Sequence, residues 1–406
     1  MERRTKMKHA ARILIMSPMG VFPARSGGHS AVLEPAKILA RAGMEVTLFG
    51  YGIRRFEALR HFRPFLRRIE HNLTEYRYVS IWNLVDYWQR GRSGIPAMNA
   101  VRFVTRSNPK MLRNIFMGAD IIQYESPWLF PYCPARKPRV LIAHNVEVCL
   151  SATNPKISPA ILGKIATIEK EAWSRADLAI CFTEEDKKEL CERYGNRNAH
   201  VVPIGVDTQR LQPATSREKQ DARLKLGVGN KFVVLFTGSW HLPNRLAVKL
   251  MQSWAMQLSG TDFLFVAAGS VGREAVSTPN FIQTGELPDL RAWFHAADCS
   301  VNPLLEGSGM NVKMLEFLAH GLPLVSTPFG ARGIEIIDGT HALLREAGQF
   351  VQALTALKTD PGLRRNLAQN ARQLVDEQYS WEAIGKRRFA LLQSLAATNR
   401  QGPLAG

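Results

Sequence analysis

Short apolar runs, each followed by a longer amphipathic stretch, recur along most of the chain. A run of four to six apolar residues is typical of a strand buried on both faces, and the intervening stretch is typical of a covering helix. This alternation predicts an α/β protein built on doubly wound parallel sheets. The candidate strands are Arg12 to Met16, Val46 to Phe49, Ile121 to Tyr124, Val140 to Ala143, Leu178 to Phe182, Val201 to Pro203, Val233 to Phe236, Leu264 to Ala267, Ile282 to Thr284, Cys299 to Pro303 and Pro323 to Ser326.

The pattern is interrupted once, by the polar stretch Thr208 to Asn230, and restarts at Lys231. A chain of 406 residues is also too long for one ordinary domain. We therefore predict two Rossmann-like domains, residues 1–206 and 207–379. Residues 380–406 would add a last helix, because apolar residues recur at helical spacing from Ser380 to Ala397.

The formal charge of +18 is concentrated at one end of the chain. Residues 1–140 hold 24 Lys and Arg against 9 Asp and Glu, which leaves +3 for the remainder. Such an excess suggests an anionic partner, which could be nucleic acid, a membrane surface or a phosphorylated small molecule.

An amphipathic stripe from Leu59 to Ile69 lies within this basic region. Its apolar residues share one helical face, and the opposite face carries Arg60, Arg63 and Arg67. A stripe of this kind can lie on an anionic bilayer. A helix that packs on the protein core and exposes its arginine face to solvent would explain the same pattern equally well. Pro64 argues against one uninterrupted helix.

Several classes of protein are disfavoured by what the sequence lacks. Five cysteines form no C-x-x-C pair, so neither a structural zinc site nor a disulfide framework is indicated, and a reducing compartment is the simplest interpretation. No window approaches 18 apolar residues, and the short run after the basic N-terminus does not suit a signal peptide. Neither a G-x-G-x-x-G nor a P-loop motif occurs.

Two glycine-containing loops between a strand and a helix are candidate anion sites. Gly27 and Gly28 precede the first helix, where backbone N–H groups can approach an anion, although a tight turn that needs glycine would explain them as well. The second loop follows Thr237, and Asn244 could instead be a plain helix N-cap. Its candidate diphosphate contacts are Gly238, Ser239, Asn244 and Arg245.

The third loop is the most specific. A glycine-rich segment leads into a helix that carries Lys313 and Glu316, which are three residues apart and share one face. The cation suits a diphosphate and the carboxylate suits ribose hydroxyls, whereas an intrahelical Lys–Glu pair without a ligand is the competing interpretation. The loop residues that accompany them are Gly307, Ser308, Gly309, Met310 and Asn311.

These motifs resemble the retaining glycosyltransferases of family four, which have the two-domain GT-B fold. The resemblance runs from about Arg12 to Phe389. Its most specific part is a donor loop of the form Pro-x-x-x-Gly-Ser-Gly-x-x-x-Lys-x-x-Glu, which begins at Pro303 and is followed by Gly321-Leu322-Pro323. Supporting matches are Gly27-Gly28, His144-Asn145-Val146-Glu147, Ala176-Asp177 with Thr183-Glu184, Pro203 to Asp207, Gly238-Ser239 with Pro243-Asn244, and Ser380-Trp381-Glu382.

The resemblance implies a role for each of these parts. Gly27 and Gly28 would approach the donor diphosphate from the N-terminal domain, across a cleft from the C-terminal one. Lys313 and the amides of residues 307–311 would hold the diphosphate, Glu316 would take the ribose, and the last helix would return to the N-terminal domain.

One departure from the family pattern concerns its Glu-x7-Glu motif. Ser308 stands eight positions before Glu316, and the nearest carboxylate, Glu306, stands ten before it. Glu306 is therefore a candidate catalytic residue, for contact with the donor sugar or for the chemistry on its β-face. His144 is a further catalytic candidate that could orient the acceptor or the donor sugar, because it follows a predicted strand at the carboxyl edge where α/β sheets bind ligands; a structural histidine is the alternative.

We expect no metal and no cofactor, because no Asp-x-Asp pair occurs and Lys313 with helix N-termini can neutralise a departing phosphate. The predicted function is a cytoplasmic, peripheral retaining glycosyltransferase that uses a nucleotide diphosphate-sugar and a glycan or lipid-linked acceptor at an anionic membrane surface. A sugar-nucleotide epimerase of the same fold is one alternative, and a basic nucleic-acid-binding protein is another.

Overall fold

The computed structural model describes residues 11–24, 27–51, 64–79, 109–132, 137–154, 157–272, 274–307 and 309–400. The chain divides into two compact units. Unit 1 comprises Met1–Pro203 together with Ile384–Gly406, and unit 2 comprises Ile204–Ala383.

Unit 1 contains a mostly parallel sheet in which β1 is central. Within the described ranges eight strands pair in the order β3-β4-β2-β1-β5-β6-β7-β8, and only the β3–β4 pair is antiparallel. The strands are β1 Arg12–Ser17, β2 Glu45–Tyr51, β3 Phe65–Glu70, β4 Leu73–Tyr78, β5 Ile121–Glu125, β6 Arg139–Ala143, β7 Leu178–Cys181 and β8 Ala199–Val201. Because β1, β5, β6 and β7 are parallel neighbours, their carboxyl ends meet at one edge of the sheet.

Helices cover this sheet and enclose an apolar core that includes Leu14, Ile122 and Trp173. The helices are α1 Gly27–Arg41, α2 Pro109–Gly118, α3 Glu147–Ala152, α4 Pro159–Arg175 and α5 Glu184–Tyr194. Ser158 and Thr183 each accept a backbone hydrogen bond at the start of the following helix, as N-cap residues do.

Unit 2 repeats this architecture with a second sheet. Its seven described strands pair in the order β11-β12-β10-β9-β13-β14-β15, and only β11 with β12 is antiparallel. The strands are β9 Phe232–Thr237, β10 Phe263–Ala268, β11 Val276–Thr278, β12 Phe281–Gln283, β13 Cys299–Asn302, β14 Leu324–Ser326 and β15 Leu343–Leu344. The helices are α6 Ser216–Leu226, α7 Leu242–Gln257, α8 Arg291–Ala296, α9 Val312–Ala319, α10 Phe350–Thr359 and α11 Pro361–Leu374.

Every residue of β9 and β10 is buried, because an apolar cluster lies on each face of the sheet. Leu235 belongs to one cluster and Phe236, the next residue, to the other. This arrangement explains why the strands read as continuous apolar runs rather than as an alternating pattern.

The last helix, α12 Trp381–Arg400, confirms the helix predicted from Ser380 to Ala397. From Ile384 onward it belongs to unit 1, where it packs against α1. A Cβ atom added to Gly385 would lie 2.3 Å from Cγ2 of Ile38, so a larger residue cannot occupy this contact without displacement. Within the described ranges, no helix combines the length and the hydropathy that crossing a bilayer requires.

The predicted doubly wound α/β class is confirmed, and each predicted strand corresponds to an observed one, although β8 begins two residues before the predicted Val201. The helix predicted from Leu59 to Ile69 is wrong where it can be compared, because Phe65–Glu70 forms the edge strand β3. Strands β3, β4, β11 and β15 were not predicted.

Candidate functional site

The loop after β9 in unit 2 is shaped by a contact between Gly238 and Asn244. A Cβ atom at residue 238 would lie 3.0 Å from Cγ of Asn244, so glycine leaves the room that the amide needs. Asn244 donates from Nδ2 to the carbonyl of Ser239 at 2.9 Å. The N-cap interpretation of Asn244 is wrong, because the helix begins at Leu242 and His241 is the cap.

Lys313 is held by this buried amide. Its Nζ donates to Oδ1 of Asn244 at 2.5 Å and lies 4.5 Å from the ring centre of Phe236. Asn244 can receive this bond because its Nδ2 is already directed at Ser239, which leaves Oδ1 facing the lysine. Lys313 is the second residue of α9, in the first helical turn, where the backbone N–H groups of Val312 and Met314 donate to the carbonyls of Met310 and Asn311.

The surroundings of Lys313 change its acid–base behaviour. Burial lowers the pKa of Lys313 to about 8, while the negative charge of Glu316 acts in the opposite direction. An ammonium group without a carboxylate partner in contact is poorly compensated, and an incoming anion would stabilise it.

Glu316 lies three residues further along α9 and does not form the predicted alternative ion pair, since Lys313 is bonded to Asn244 instead. Burial raises the pKa of Glu316, and the charges of Arg210 and Lys313 oppose that effect. Arg210 was not identified from the sequence, because it lies about a hundred residues away in a segment that reads as a polar linker.

The glycine-rich loop between β13 and α9 depends on positive backbone φ angles, +138° at Gly307 and +68° at Gly309, which strongly favour glycine. Arg332 donates to the carbonyl of Gly309 at 2.7 Å, and Asn311 donates to the carbonyl of Gly330 at 2.9 Å. The loop is thus joined at Gly309 and at Asn311 to the segment that contains Gly330 and Arg332, a pair of contacts with no signal in the sequence pattern.

Other predicted members of this site are placed as follows. Glu306 is exposed on the loop, Ser239 is exposed, and Met310 packs against the apolar core. Arg245 is exposed on α7, with its guanidinium 4.7 Å from the ring centre of Trp240. Ser308 lies outside the described residues.

In unit 1, Gly27 and Gly28 are the first residues of α1 and are exposed. The alternative that a tight turn requires glycine here is wrong for Gly27. Its backbone is helical, and a Cβ atom added there would meet nothing within 4 Å. The start of a 15-residue helix exposes backbone N–H groups, as the prediction of an anion contact requires.

The loop that leads into α1 is anchored by two arginines. Arg67 on β3 and Arg77 on β4 each donate to the carbonyl of Phe22 at 2.9 Å, and both pair with the fully buried Glu75. A Cβ atom at Gly20 would lie 2.0 Å from Cζ of Arg77, so the loop backbone lies directly on the guanidinium.

This network changes the interpretation of the predicted membrane stripe. Arg67 does not lie on the solvated face of a helix; it is partly buried on a strand, 2.5 Å from Glu75. Arg60 and Arg63 lie outside the described residues.

His144 follows β6 and contacts Glu125 at the end of β5. Nε2 of His144 lies 2.7 Å from Oε2 of Glu125, and the imidazole ring stands edge-on to Phe182 with 4.9 Å between centroids. The Glu125 side chain is buried and the His144 side chain is 21 % exposed, so only the imidazole can reach a ligand. The next residue after Glu125, Ser126, has a φ of +102°, which is uncommon outside glycine and often marks a functional site.

A second buried acid, Glu147, opens α3 three residues after His144. Glu169 accepts hydrogen bonds from the backbone N–H groups of Glu147 and Val148 and from the hydroxyl of Tyr194. Burial, with a smaller contribution from the charge of Glu169, raises the pKa of Glu147 to about 7. Glu169 thus supplies the anion that stabilises the first turn of α3 and fixes the segment that carries His144.

Comparisons with known proteins agree with this arrangement of two mostly parallel sheets covered by helices. Residues 25–210 match the family described as Glycosyltransferase Family 4, and residues 231–360 match Glycosyl transferases group 1. The two matches together cover more than three quarters of the chain, which therefore belongs to the family-four glycosyltransferases of the GT-B type.

Individual relatives are distant. A GDP-mannose-dependent monoacylated α-(1-6)-phosphatidylinositol monomannoside mannosyltransferase of Corynebacterium glutamicum is 24 % identical over 48 % of this chain and 55 % of its own length. The chain thus spans about half the length of the curated relatives it matches.

Solved structures show the same fold at low sequence identity. A sucrose-phosphate synthase from Thermosynechococcus elongatus superposes with a TM-score of 0.69 at 16 % identity, covering 96 % of this chain and all of the other. Anabaena HepE, solved in complex with UDP-glucose, superposes with a TM-score of 0.63 at 15 % identity, covering 94 % of this chain and 99 % of its own.

Proposed function

We propose that the chain is a retaining glycosyltransferase that moves a sugar from a nucleoside diphosphate-sugar to a glycan or lipid-linked acceptor. The observation that carries this proposal is the environment of Lys313, a partly buried ammonium that contacts an amide and an aromatic ring rather than a carboxylate. Its neighbour Glu316 supplies a carboxylate three residues along the same helix.

The donor would be held mainly by positive charge and backbone donors. Lys313 and the amides of the loop before α9 would contact the diphosphate, and the α1 N-terminus at Gly27 and Gly28 would offer backbone N–H groups from unit 1. Glu316 would accept hydrogen bonds from the ribose hydroxyls. The UDP-glucose complex of Anabaena HepE supports a nucleotide-sugar donor for a protein of this fold.

The chemical step requires stabilisation of the diphosphate as the glycosidic bond breaks. We propose that the ammonium of Lys313 and the helix dipoles provide this stabilisation without a metal ion. In a retaining reaction with attack from the front face, the departing phosphate takes the proton of the acceptor hydroxyl, so no strong protein base is needed. Glu306 and His144 would orient the sugars.

The acceptor side is proposed from the charge distribution. The basic excess of residues 1–140 would favour approach to an anionic membrane surface, in agreement with a cytoplasmic, peripheral enzyme of surface glycan or glycolipid synthesis. The lipid-linked substrate in the name of the corynebacterial relative is compatible with this proposal.

The test combines binding with turnover. We expect a nucleoside diphosphate to raise the unfolding temperature, since a ligand at 100 times its Kd stabilises the native state by about 2.7 kcal/mol. Transfer from the matching nucleotide-sugar would then be measured with glycan and lipid-linked acceptors. Sugar interconversion without an acceptor would instead indicate an epimerase, and no shift with any nucleotide would contradict the proposal.

Vesicle binding tests the membrane part separately. Reversal of Arg60 and Arg63 to Glu should weaken binding to vesicles that contain anionic lipid. Arg67 should be left unchanged in this variant, because its reversal would place a negative charge beside the buried Glu75. Undiminished vesicle binding would count against the stripe, and a preference for DNA or RNA fragments would favour the nucleic-acid alternative.

A further inference from the structure

The glycine-rich loop of unit 2 lies between two other strand–helix connections. Strand β13, which precedes the loop, pairs in parallel with β9 on one side and with β14 on the other, so the carboxyl ends of the three strands lie side by side. A Cβ atom added to Gly307 would lie 3.9 Å from Cγ of Pro243, at the start of the helix that follows β9. Arg332, in the connection after β14, donates from Nη2 to the carbonyl of Gly309 at 2.7 Å. The loop therefore contacts one neighbouring connection on each side.

The segment that carries Arg332 is itself anchored. The carbonyl of Gly330 accepts hydrogen bonds from the side-chain amides of Asn302 at 3.0 Å and Asn311 at 2.9 Å. Arg332 forms no ion pair with any residue that the structure describes, and its guanidinium lies 4.6 Å from the ring centre of Phe329. No carboxylate therefore competes with the loop carbonyl for this guanidinium.

The contact at Gly309 determines the direction of the next amide. A trans peptide unit is planar, and its C=O and N–H groups point in opposite directions. Because the carbonyl of Gly309 is directed at Arg332, the N–H of Met310 is directed away from β14 and towards the β9 side of the loop. On that side Nζ of Lys313 donates to Asn244 at 2.5 Å. The backbone donor and the ammonium are thus directed to the same side of the loop.

The N–H of Met310 is available to a ligand. It donates to no acceptor in the described part of the chain, whereas the carbonyl of the same residue accepts from Val312 at 3.1 Å. Backbone N–H groups in folded proteins normally have a partner, which can be water or a ligand. A guanidinium on the carbonyl also polarises the peptide unit, which strengthens the N–H at its other end as a donor. Both properties favour an anionic acceptor.

We infer that Arg332 is a positioning residue: by holding the carbonyl of Gly309, it directs the N–H of Met310 at the diphosphate of the nucleotide-sugar, beside Lys313. Arg332 acts through the loop backbone and does not itself contact the donor. No covalent bond changes in this step. The inference rests on the proposed function for the identity of the ligand.

The first test uses the protein without ligand and a pair of selective NMR labels. The dipeptide Gly-Met occurs twice in the sequence, as Gly43-Met44 and Gly309-Met310. Protein labelled with ¹³C in the glycine carbonyls and ¹⁵N in methionine therefore gives two correlated signals, which Met310→Leu assigns. Arg332→Met should shift the Gly309 carbonyl signal, because its hydrogen bond is lost. The Gly43-Met44 signal should stay unchanged, since Met44 donates within unit 1 to the carbonyl of Leu39.

The second test adds ligand to the same labelled protein. Inorganic pyrophosphate, UDP and GDP are compared, and binding of at least one should shift the amide signal of Met310 in the parent. Calorimetry should show that Arg332→Met binds that compound about tenfold more weakly, the effect of losing one good hydrogen bond. The response of the Met310 amide at saturation should also be smaller in this variant. Arg332→Lys keeps a cationic donor and should recover most of the affinity and of the amide response.

Arg364→Met is the matched control for a general loss of structure. Arg364 is also a partly buried arginine of unit 2. It donates to the carbonyl of Lys358 at 3.0 Å, and its guanidinium lies 5.6 Å from the ring centre of Phe232. Its removal should leave both the Gly309-Met310 signal and the ligand affinity as in the parent.

The outcomes separate this inference from the proposed function. A Met310 amide that does not respond to a bound diphosphate would overturn the inference while leaving the proposed function intact. Equal ligand affinity for Arg332→Met and Arg364→Met would do the same. If the parent binds none of these compounds and transfers no sugar, the proposed function is contradicted instead. The Gly309 carbonyl signal would then still decide whether Arg332 holds this peptide unit.

Discussion

Lys313 donates its hydrogen bond to Asn244, 69 residues earlier in the chain, rather than to Glu316 on its own helix. The amide fixes the position of the ammonium without neutralising its charge. A carboxylate in the same place would satisfy the ammonium and compete with a diphosphate for it. The contact therefore keeps a cation in place while leaving its charge available to an anionic ligand.

The first prediction concerns the loss of this charge. Lys313→Ala should abolish detectable sugar transfer and nucleotide-induced thermal stabilisation while leaving the circular dichroism spectrum unchanged. Lys249→Ala, which removes an exposed lysine from α7, is the matched control and should behave as the parent. Normal transfer by the Lys313 variant would refute the assignment of Lys313 to the diphosphate.

The second prediction is a pH dependence of donor binding. Because the pKa of Lys313 is lowered from 10.5 to about 8, the group is charged below pH 8 and loses its proton above it. Affinity for the nucleoside diphosphate should therefore fall as pH rises from about 8 to 10, as measured by calorimetry. Lys313→Arg stays charged over this range, so any binding it retains should vary less with pH. A parent affinity that does not change with pH would contradict this prediction.

The same shift affects stability. The charged form of Lys313 is disfavoured in the folded protein, so its charge lowers the free energy of unfolding below about pH 8. This destabilisation disappears as the pH rises toward 10.5. A bound diphosphate should reverse the effect by favouring the charged form, and binding near pH 8 should take up protons. Calorimetry in buffers of different ionisation enthalpy would detect this uptake.

The third prediction compares two glycines of the segment before and within α1. Gly27→Ala should preserve stability, because the added methyl group meets open space, but should weaken nucleotide binding if the backbone there approaches the diphosphate. Gly20→Ala should destabilise the protein, because Arg77 occupies the position of the new methyl group. Equal nucleotide affinity for the parent and Gly27→Ala would remove Gly27 from the donor site.

The fourth prediction concerns the buried carboxylate Glu75. Glu75→Ala removes a fully buried carboxylate that pairs with both Arg67 and Arg77, and it should cost about 3–5 kcal/mol in the free energy of unfolding. Glu70→Ala removes a more exposed ion pair with Arg41 and should cost about 1 kcal/mol or less. Denaturant titrations of the two variants would test the contrast, and similar losses would contradict it.

The fifth prediction uses the buried acid Glu147. Its pKa of about 7 in the folded protein exceeds the ordinary 4.5, so its contribution to stability falls as pH rises from about 4.5 to 7. Glu147→Gln should stabilise the protein by on the order of 2–3 kcal/mol at pH 8 and have little effect near pH 4.5. Glu185→Gln, at an exposed site, should show no such difference between the two pH values.

The continuous apolar runs made the main strands predictable, because burial on both faces leaves little choice of residue in β9 or β10. The edge pair β3 and β4 was missed for the opposite reason. Glu75 forms ion pairs with Arg67 and Arg77 across these two strands, so all three charged residues are buried or partly buried. A prediction from the order of polar and apolar residues places charged residues in solvent.

The glycine-rich loop before α9 was also accessible to sequence reasoning, since Gly307, Gly309 and Lys313 follow a strand in a fixed spacing. Its supporting contacts were not: Asn244 was predicted only as a diphosphate contact, not as the partner of Lys313, and Arg332 was not predicted at all. The two contacts depend on the parallel pairing of β13 with β9 and with β14. Such contacts follow from the register of the sheet rather than from any local pattern.

The contact of Gly385 with Ile38 has a consequence for synthesis on the ribosome. The surface of α1 that receives α12 is made early, but about 180 residues of unit 2 must be translated before α12 emerges. At roughly 5–20 residues per second, this delay is on the order of 10–40 s. During that interval nascent unit 1 exposes an unfinished apolar face, which is the kind of surface that chaperones bind.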